Sequence, residues 1–116
     1  MNKVKFTVGG AMEEEASSRF VDAWHRAERG KKFHERHLAF ESWDALARVL
    51  TSKRMELLRY VRRNDVTSIR SLAKALKRDY SNVHADVQAL AGAGLLDTTR
   101  KGVRADYDAI ETKIAI

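Results

Sequence analysis

Cysteine and proline are both missing from this 116-residue chain, and glycine occurs only six times. Without cysteine there is no disulfide and no thiolate chemistry, and a metal site would have to be built from His, Asp and Glu. Without proline nothing stiffens a linker or kinks a helix. No apolar run approaches the ~20 residues of a membrane span, and no signal-peptide core stands near the N-terminus. These absences predict a cytoplasmic protein with no membrane association, of one domain's size with a small appended element. What the chain has is charge: 33% of its residues are Asp, Glu, Lys or Arg, the net charge is +6, and 44% hydrophobic residues suffice for a modest core.

The positive charge is unevenly spread. Residues 1–50 carry 9 basic and 8 acidic side chains, residues 51–104 carry 12 and 5, and residues 105–116 carry 1 and 3. A basic excess concentrated in one stretch suits a polyanionic partner. The alternative is a solvated basic face.

Apolar periodicity divides the chain into short elements. "KVKFTVGG" alternates at Val4, Phe6 and Val8 and stops at Gly9-Gly10, as a strand does. Met12, Ala16, Phe20, Ala23, Trp24 and Ala27 recur at helical spacing, predicting a helix over 12–29 that ends at Gly30. Glu13, Glu14 and Glu15 stand in its first turn, where the helix dipole favours anions. "HLAFES" (37–42) is a second candidate strand, and "SWDALARVL" (42–50) a helix capped by Ser42. "TSKRMELLRYVRRN" (51–64) is a further helix, with Thr51 or Ser52 as its cap and Met55, Leu57, Leu58 and Val61 as its stripe. Asn64-Asp65 closes it as a turn.

Ser68 then caps a short helix burying Ile69, Leu72, Ala73 and Leu76. The next helix starts at Asp79 or Ser81 and ends at Gly92 or Gly94. Beyond it, "LLDTTRKGVRADY" reads as a hairpin turning at Arg100-Lys101-Gly102, with glycine where a positive φ is needed. "ETKIAI" could add a last strand.

On a helix spanning 79–92, Val83, Val87, Leu90 and Ala91 share one face and must pack inward. Ser81, Asn82, Ala85, Gln88 and Ala89 then face outward, with Tyr80 and His84 at the flank. In so charged a chain, a merely solvated face should have carried salt-bridge pairs. This one has small residues and two amides, which let a backbone approach a groove and pair with base edges. Arg70, Lys74, Lys77 and Arg78 flank the helix start, where cations and free N–H groups suit phosphate. A short helix, a tight turn, a longer helix and a basic hairpin make a winged helix-turn-helix. The predicted fold is α+β, mainly α: a strand-helix-strand extension over 1–42 and a winged helix-turn-helix domain over 43–116.

The stretch "LTSKRMELLRYVRR…SIRSLAKALKRDYSNVHADVQALAGAGLL" resembles the MarR-like winged-helix predicted transcriptional regulators of bacteria and archaea. Leu50, Thr51, Arg54, Ser68, Ile69, Leu72, Ala73, Leu76, Arg78, Asp79, Tyr80, Val83, Asp86, Val87, Leu90, Gly94 and Leu95 carry the resemblance, which is specific over 40–116 and looser over 1–39. It extends to the antitoxin member of the TumE–TumA toxin–antitoxin pairs, in which the winged-helix protein neutralises a toxin and represses its own operon. Two departures stand out. Asp106 precedes Tyr107 where that family usually has proline, and "LTSKR" has Ser52 where "LTPKR" is common. The resemblance implies DNA binding by Arg78, Tyr80, Ser81, Asn82 and the wing. Asp86 matches that family too, but a carboxylate there suits orienting Arg78 or another basic residue rather than facing DNA.

Other chemistry is poorly supplied. His34 and His37 lie near each other beside Glu35, but His25 and His84 are remote, and a zinc site needs about four converging ligands. "TVGG" is a strand end rather than a nucleotide fingerprint, and Glu13–Glu15 is explained by the helix dipole. No cofactor, metal or enzyme activity is expected. Trp24 and Trp43 read as core. An element as small as 1–42 cannot bury its own face, so it should pack on a second copy or, through Phe20, Trp24 and Phe33, dock a toxin.

The sequence thus predicts a homodimeric, sequence-specific double-stranded DNA-binding regulator, a repressor and in the antitoxin case an autoregulating one. Base readout falls to Ser81, Asn82, Ala85 and Gln88, with His84 beside them. Backbone contact falls to Arg70, Lys77, Arg78, Tyr80, Arg100, Lys101 and Arg104. The alternative is an interaction module that neutralises a toxin or another partner without binding DNA.

Overall fold

The computed structural model of the protein describes residues 2–9 and 35–116. The helix predicted over 12–29, with Phe20 and Trp24, lies outside the described residues, as do Phe33 and His34. The described chain is α+β, with four helices, a three-stranded parallel sheet and a two-stranded antiparallel hairpin. It divides into two units. One comprises 1–46 and 107–116, the other 47–106. This differs from the expected boundary after residue 42: the last strand belongs with the N-terminal strands.

In the first unit, β1 (Lys3–Val8) lies between β2 (Glu35–Phe40) and β5 (Ala109–Ile114), parallel to both. Lys3 stands level with Glu35 on one side and with Ala109 on the other. Alternation sorts the side chains. Val4, Phe6 and Val8 share one face and are at most 2% exposed. Phe40 meets Phe6 there edge-to-face at 5.2 Å. The opposite face is ionic: Glu35 receives Lys3 at 3.9 Å, Lys5 at 3.7 Å and His37 at 3.4 Å. Parallel pairing needs a long crossover, so none of these strands could be matched by a local turn signal.

Helix α1 (Trp43–Val49) follows β2, with the Ser42 hydroxyl accepting from Ala45 N–H at 3.2 Å. Trp43, expected in the core, is instead 57% exposed; Leu46 is the buried residue of this helix. Trp43 lies on the same side as Leu46, three residues before it, but as the first residue of the helix it stands at the end of the stripe and its ring is left outside the packing that buries Leu46.

The second unit is built on α2 (Ser52–Arg63), α3 (Ile69–Leu76) and α4 (Tyr80–Gly92). Thr51 caps α2 by accepting from Arg54 N–H at 3.2 Å, and Ser68 caps α3 by accepting from Ser71 N–H at 3.0 Å. Replacing Ser68 with alanine should cost about 1 kcal/mol, measured as a shift in the denaturant midpoint at unchanged m-value. Leu57, Leu58 and Val61 of α2, Leu72 and Ala73 of α3, and Val83, Val87 and Leu90 of α4 are all buried and make up the core of this unit with Leu95, Leu96 and Val103. Each large aliphatic side chain buried this way contributes roughly 1.5–3 kcal/mol. Ile69 and Leu76, at the two ends of α3, are only half-buried.

Two chain reversals shape this unit. Lys77 ends α3 in the left-handed region (φ 54°), letting Arg78 N–H reach Ala73 O at 3.0 Å. Gly94 (φ 85°) ends α4, with Leu95 N–H reaching Leu90 O at 2.8 Å. This is the glycine-terminated helix end that sequence reading expects. Strands β3 (Asp97–Thr99) and β4 (Gly102–Arg104) then form the hairpin, Thr99 opposite Gly102. Val66 pairs with Val103 as a one-residue third strand, Val103 N–H donating to Val66 O at 2.9 Å.

Candidate nucleic-acid interface

Helix α4 is anchored by Val83, Val87 and Leu90, each 0% exposed. Its outer side then follows from helical geometry. Tyr80, Ser81, Asn82, His84, Ala85 and Gln88 are all exposed, while Ala89 and Ala91 are half-buried. The residues expected to read a partner therefore form one continuous surface, with no acidic or basic residue in the first or last turn of the helix. Asp79 occupies the N-cap position, but its side chain makes no capping hydrogen bond.

Cations frame the start of this helix. Arg70, Lys74 and Lys77 are exposed. Arg70 lies over the Tyr80 ring, its guanidinium carbon 5.2 Å from the centroid, and Tyr80 meets His84 at 5.8 Å between centroids. The column Arg70–Tyr80–His84 joins α3 to α4 across the turn. Cation–ring attraction at an exposed site is worth about 0.5–1 kcal/mol, which biases both side chains toward this arrangement. Sequence reading assigned these three residues separately. Their stacking depends on how the two helices cross, which a one-dimensional pattern does not carry.

Arg78 behaves differently from its neighbours. Expected as a phosphate contact, its side chain is only 18% exposed and donates from Nη2 to Asp86 Oδ2 at 2.7 Å. Its Nη1 is buried without a hydrogen-bond partner. Asp86 also accepts from Arg54 Nε at 3.0 Å, and Arg54 Nη1 donates to the carbonyls of Arg48 and Val49, both at 2.9 Å. One carboxylate thus ties α4 to the turn before it and to α2. Burial alone would push the Asp86 carboxyl up, but the hydrogen bonds from Arg54 and Arg78, with their charges, hold it below its ordinary value of 3.8. Asp86 is expected from its chemistry to orient Arg78 or another basic residue, and the structure shows it holding both Arg78 and Arg54. Arg54 carried no role in the sequence reading, and a long-range partner for a lone arginine has no local signal.

The hairpin brings Arg100 and Lys101 to an exposed tip, Lys101 N–H bonding the Thr99 hydroxyl at 3.1 Å. Arg104 is 63% exposed and faces Asp106 at 3.5 Å. Beside the hairpin lies a cleft of about 310 Å³ lined by Val61, Asn64, Val66, Lys101, Arg104 and Asp106, among others. Among the described residues, no cluster of His, Asp or Glu could hold a metal ion. No helix there is long and apolar enough to cross a membrane.

Fold and surface together define an α+β protein with an uncharged helix face framed by cations. A family model, HVO_A0114, matches residues 49–112. That is more than half of the sequence, and the chain belongs to the HVO_A0114 family. No curated protein and no solved structure matches the chain.

Proposed function

We propose that this protein is a sequence-specific double-stranded DNA-binding transcriptional regulator of the winged helix-turn-helix kind, acting as a repressor. The observation that carries this reading is the outer face of α4: Ser81, Asn82, Ala85 and Gln88 exposed together, bordered by Arg70, Lys74 and Lys77. In this reading α3 and α4 are the two helices of the motif, α4 lies in the major groove, and the hairpin is the wing. Asn82 and Gln88 pair with base edges, adenine being the usual partner of an amide. Arg70, Lys77, Arg100, Lys101 and Arg104 contact the backbone, and Tyr80 is held against it by Arg70. Arg78 serves as a positioning residue, since Asp86 holds it at the turn. The resemblance to MarR-like regulators supports the same reading. Its antitoxin branch would add autoregulation and a toxin partner.

The test is a fluorescence-anisotropy titration against DNA upstream of the protein's own gene, at two salt concentrations. Specific affinity should fall roughly 30-fold or more in N82A/Q88A, because two bidentate amide–base pairs worth about 1–3 kcal/mol each are lost. Binding to random DNA should be unchanged in that variant. R70A should weaken both DNAs alike and flatten the salt dependence by about one counterion. Binding to the upstream DNA no tighter than to random DNA would remove the autoregulatory reading. A partner captured at an affinity insensitive to salt would favour the interaction module instead.

A further inference from the structure

The outer edge of β5 matches itself. Residues 109–115 read Ala-Ile-Glu-Thr-Lys-Ile-Ala, a palindrome about Thr112 in which the one mismatched pair, Glu111 and Lys113, is oppositely charged. Among the described residues β5 pairs with β1 alone, and no described strand lies along its other side. Ala115 N–H donates to Val8 O at 3.0 Å, which sets the alternation: the backbone groups of Glu111 and Lys113 turn toward β1, and those of Ile110, Thr112 and Ile114 turn outward.

We propose that the protein dimerises along this edge, two β5 strands pairing antiparallel about a two-fold axis at Thr112 to make one six-stranded sheet. Thr112 would then exchange both backbone hydrogen bonds with its symmetry mate. Ile110 faces Ile114 of the second copy, and Glu111 faces Lys113, each pair occurring twice. The faces agree as well. Ile110, Thr112 and Ile114 stand level with Val4, Phe6 and Val8, so the isoleucine pairs extend the apolar face. Ile114 is now 48% exposed. The Glu–Lys pairs fall on the ionic face, where Glu111 already receives Lys3 at 3.4 Å and is still 56% exposed. Edge strands normally carry features that block such pairing; this one carries charges that complement each other in the two-fold arrangement. The β2 edge has no such match, since reversal about Leu38 sets Arg36 against Phe40. This interface goes beyond the DNA-binding reading and does not depend on it.

Sedimentation equilibrium of the full chain over roughly 1–100 μM reads the association. The wild type should be a dimer. E111K and K113E each set like charges opposite one another twice, and should weaken dimerisation about tenfold. The exchange variant E111K/K113E restores opposite charges across the axis and should recover the wild-type constant. T112C is the geometric test, in a chain with no other cysteine. Hydrogen-bonded partners lie about 5.5 Å apart at Cα, within disulfide range, so mild oxidation should yield a covalent dimer, and T98C on the hairpin should not. E111K also loses the Lys3 contact, so K113E and T112C carry the result if that variant unfolds. A monomeric wild type would overturn the proposal. So would a dimer indifferent to K113E in which T112C does not cross-link.

Discussion

Replacing Asp86 with alanine should lower the unfolding free energy by about 3 kcal/mol, because it leaves two partly buried guanidinium groups without their counter-charge. Arg78 and Arg54 are each 18% exposed, and Asp86 is 14% exposed. All three are therefore shielded enough for the pairing to count, unlike a surface bridge such as Arg104–Asp106. The Arg54 contacts to the Arg48 and Val49 carbonyls would persist, since they need no carboxylate. Urea denaturation followed by circular dichroism measures the loss.

A pH series separates charge from shape. The Asp86 pKa in the folded protein lies below its ordinary value of 3.8. Its contribution is therefore complete above the unfolded-state value and is lost as the pH falls through the lower folded-state value. D86N keeps the side chain's size and removes this ionisation. The stability gap between wild type and D86N should thus be widest near neutral pH and narrow below about pH 4. A gap of constant size down to that range would mean that packing, and not the two arginines, holds the residue.

Local signals in the sequence account for most of the second unit. Thr51 and Ser68 announce helix starts by the bonds they make, Gly94 and Gly102 announce reversals by the φ they must adopt, and Val83, Val87 and Leu90 define the buried side of α4. The exposed side follows by subtraction, which is why the pattern alone groups Ser81, Asn82, Ala85 and Gln88. What local pattern could not carry is pairing at a distance. Lys3 stands beside Ala109 and Glu35 at once, and no rule of periodicity links residues at opposite ends of a chain. The same holds for Asp86 with Arg54, for Val66 with Val103, and for the Arg70 guanidinium over Tyr80. Arg78 is legible in part: Asp86 is expected to orient it or another basic residue, but that its side chain is drawn in to 18% exposure and shares the carboxylate with Arg54 depends on how the helices pack. Trp43 was misjudged because size and apolarity predict burial only on average.

Gly102 marks the point where hairpin geometry and proposed function can be pulled apart. Its φ is 127°, and a Cβ there would fall 1.8 Å from the carbonyl oxygen of Val66 and 2.9 Å from the Cα of Thr67. Both neighbours are backbone, so no rotamer change relieves the clash, and an L side chain is strained at that φ in any case. The Val66 segment and β4 would have to separate, breaking the 2.9 Å bond from Val103 N–H to Val66 O and opening the core beneath Val103. G102A should therefore lose about 3 kcal/mol or more, read as a fall in thermal midpoint. K101A, one residue earlier at the exposed tip, removes a charge without touching either strand. It should melt with the wild type, while DNA binding weakens modestly and its salt dependence falls by about one counterion. If the hairpin is a wing, both variants weaken DNA binding, but by separable routes: G102A through loss of the scaffold, K101A through one missing phosphate contact. A K101A protein that binds DNA with the wild-type salt slope would leave the hairpin as a structural clasp on the helices and place backbone recognition on α3 and the turn alone.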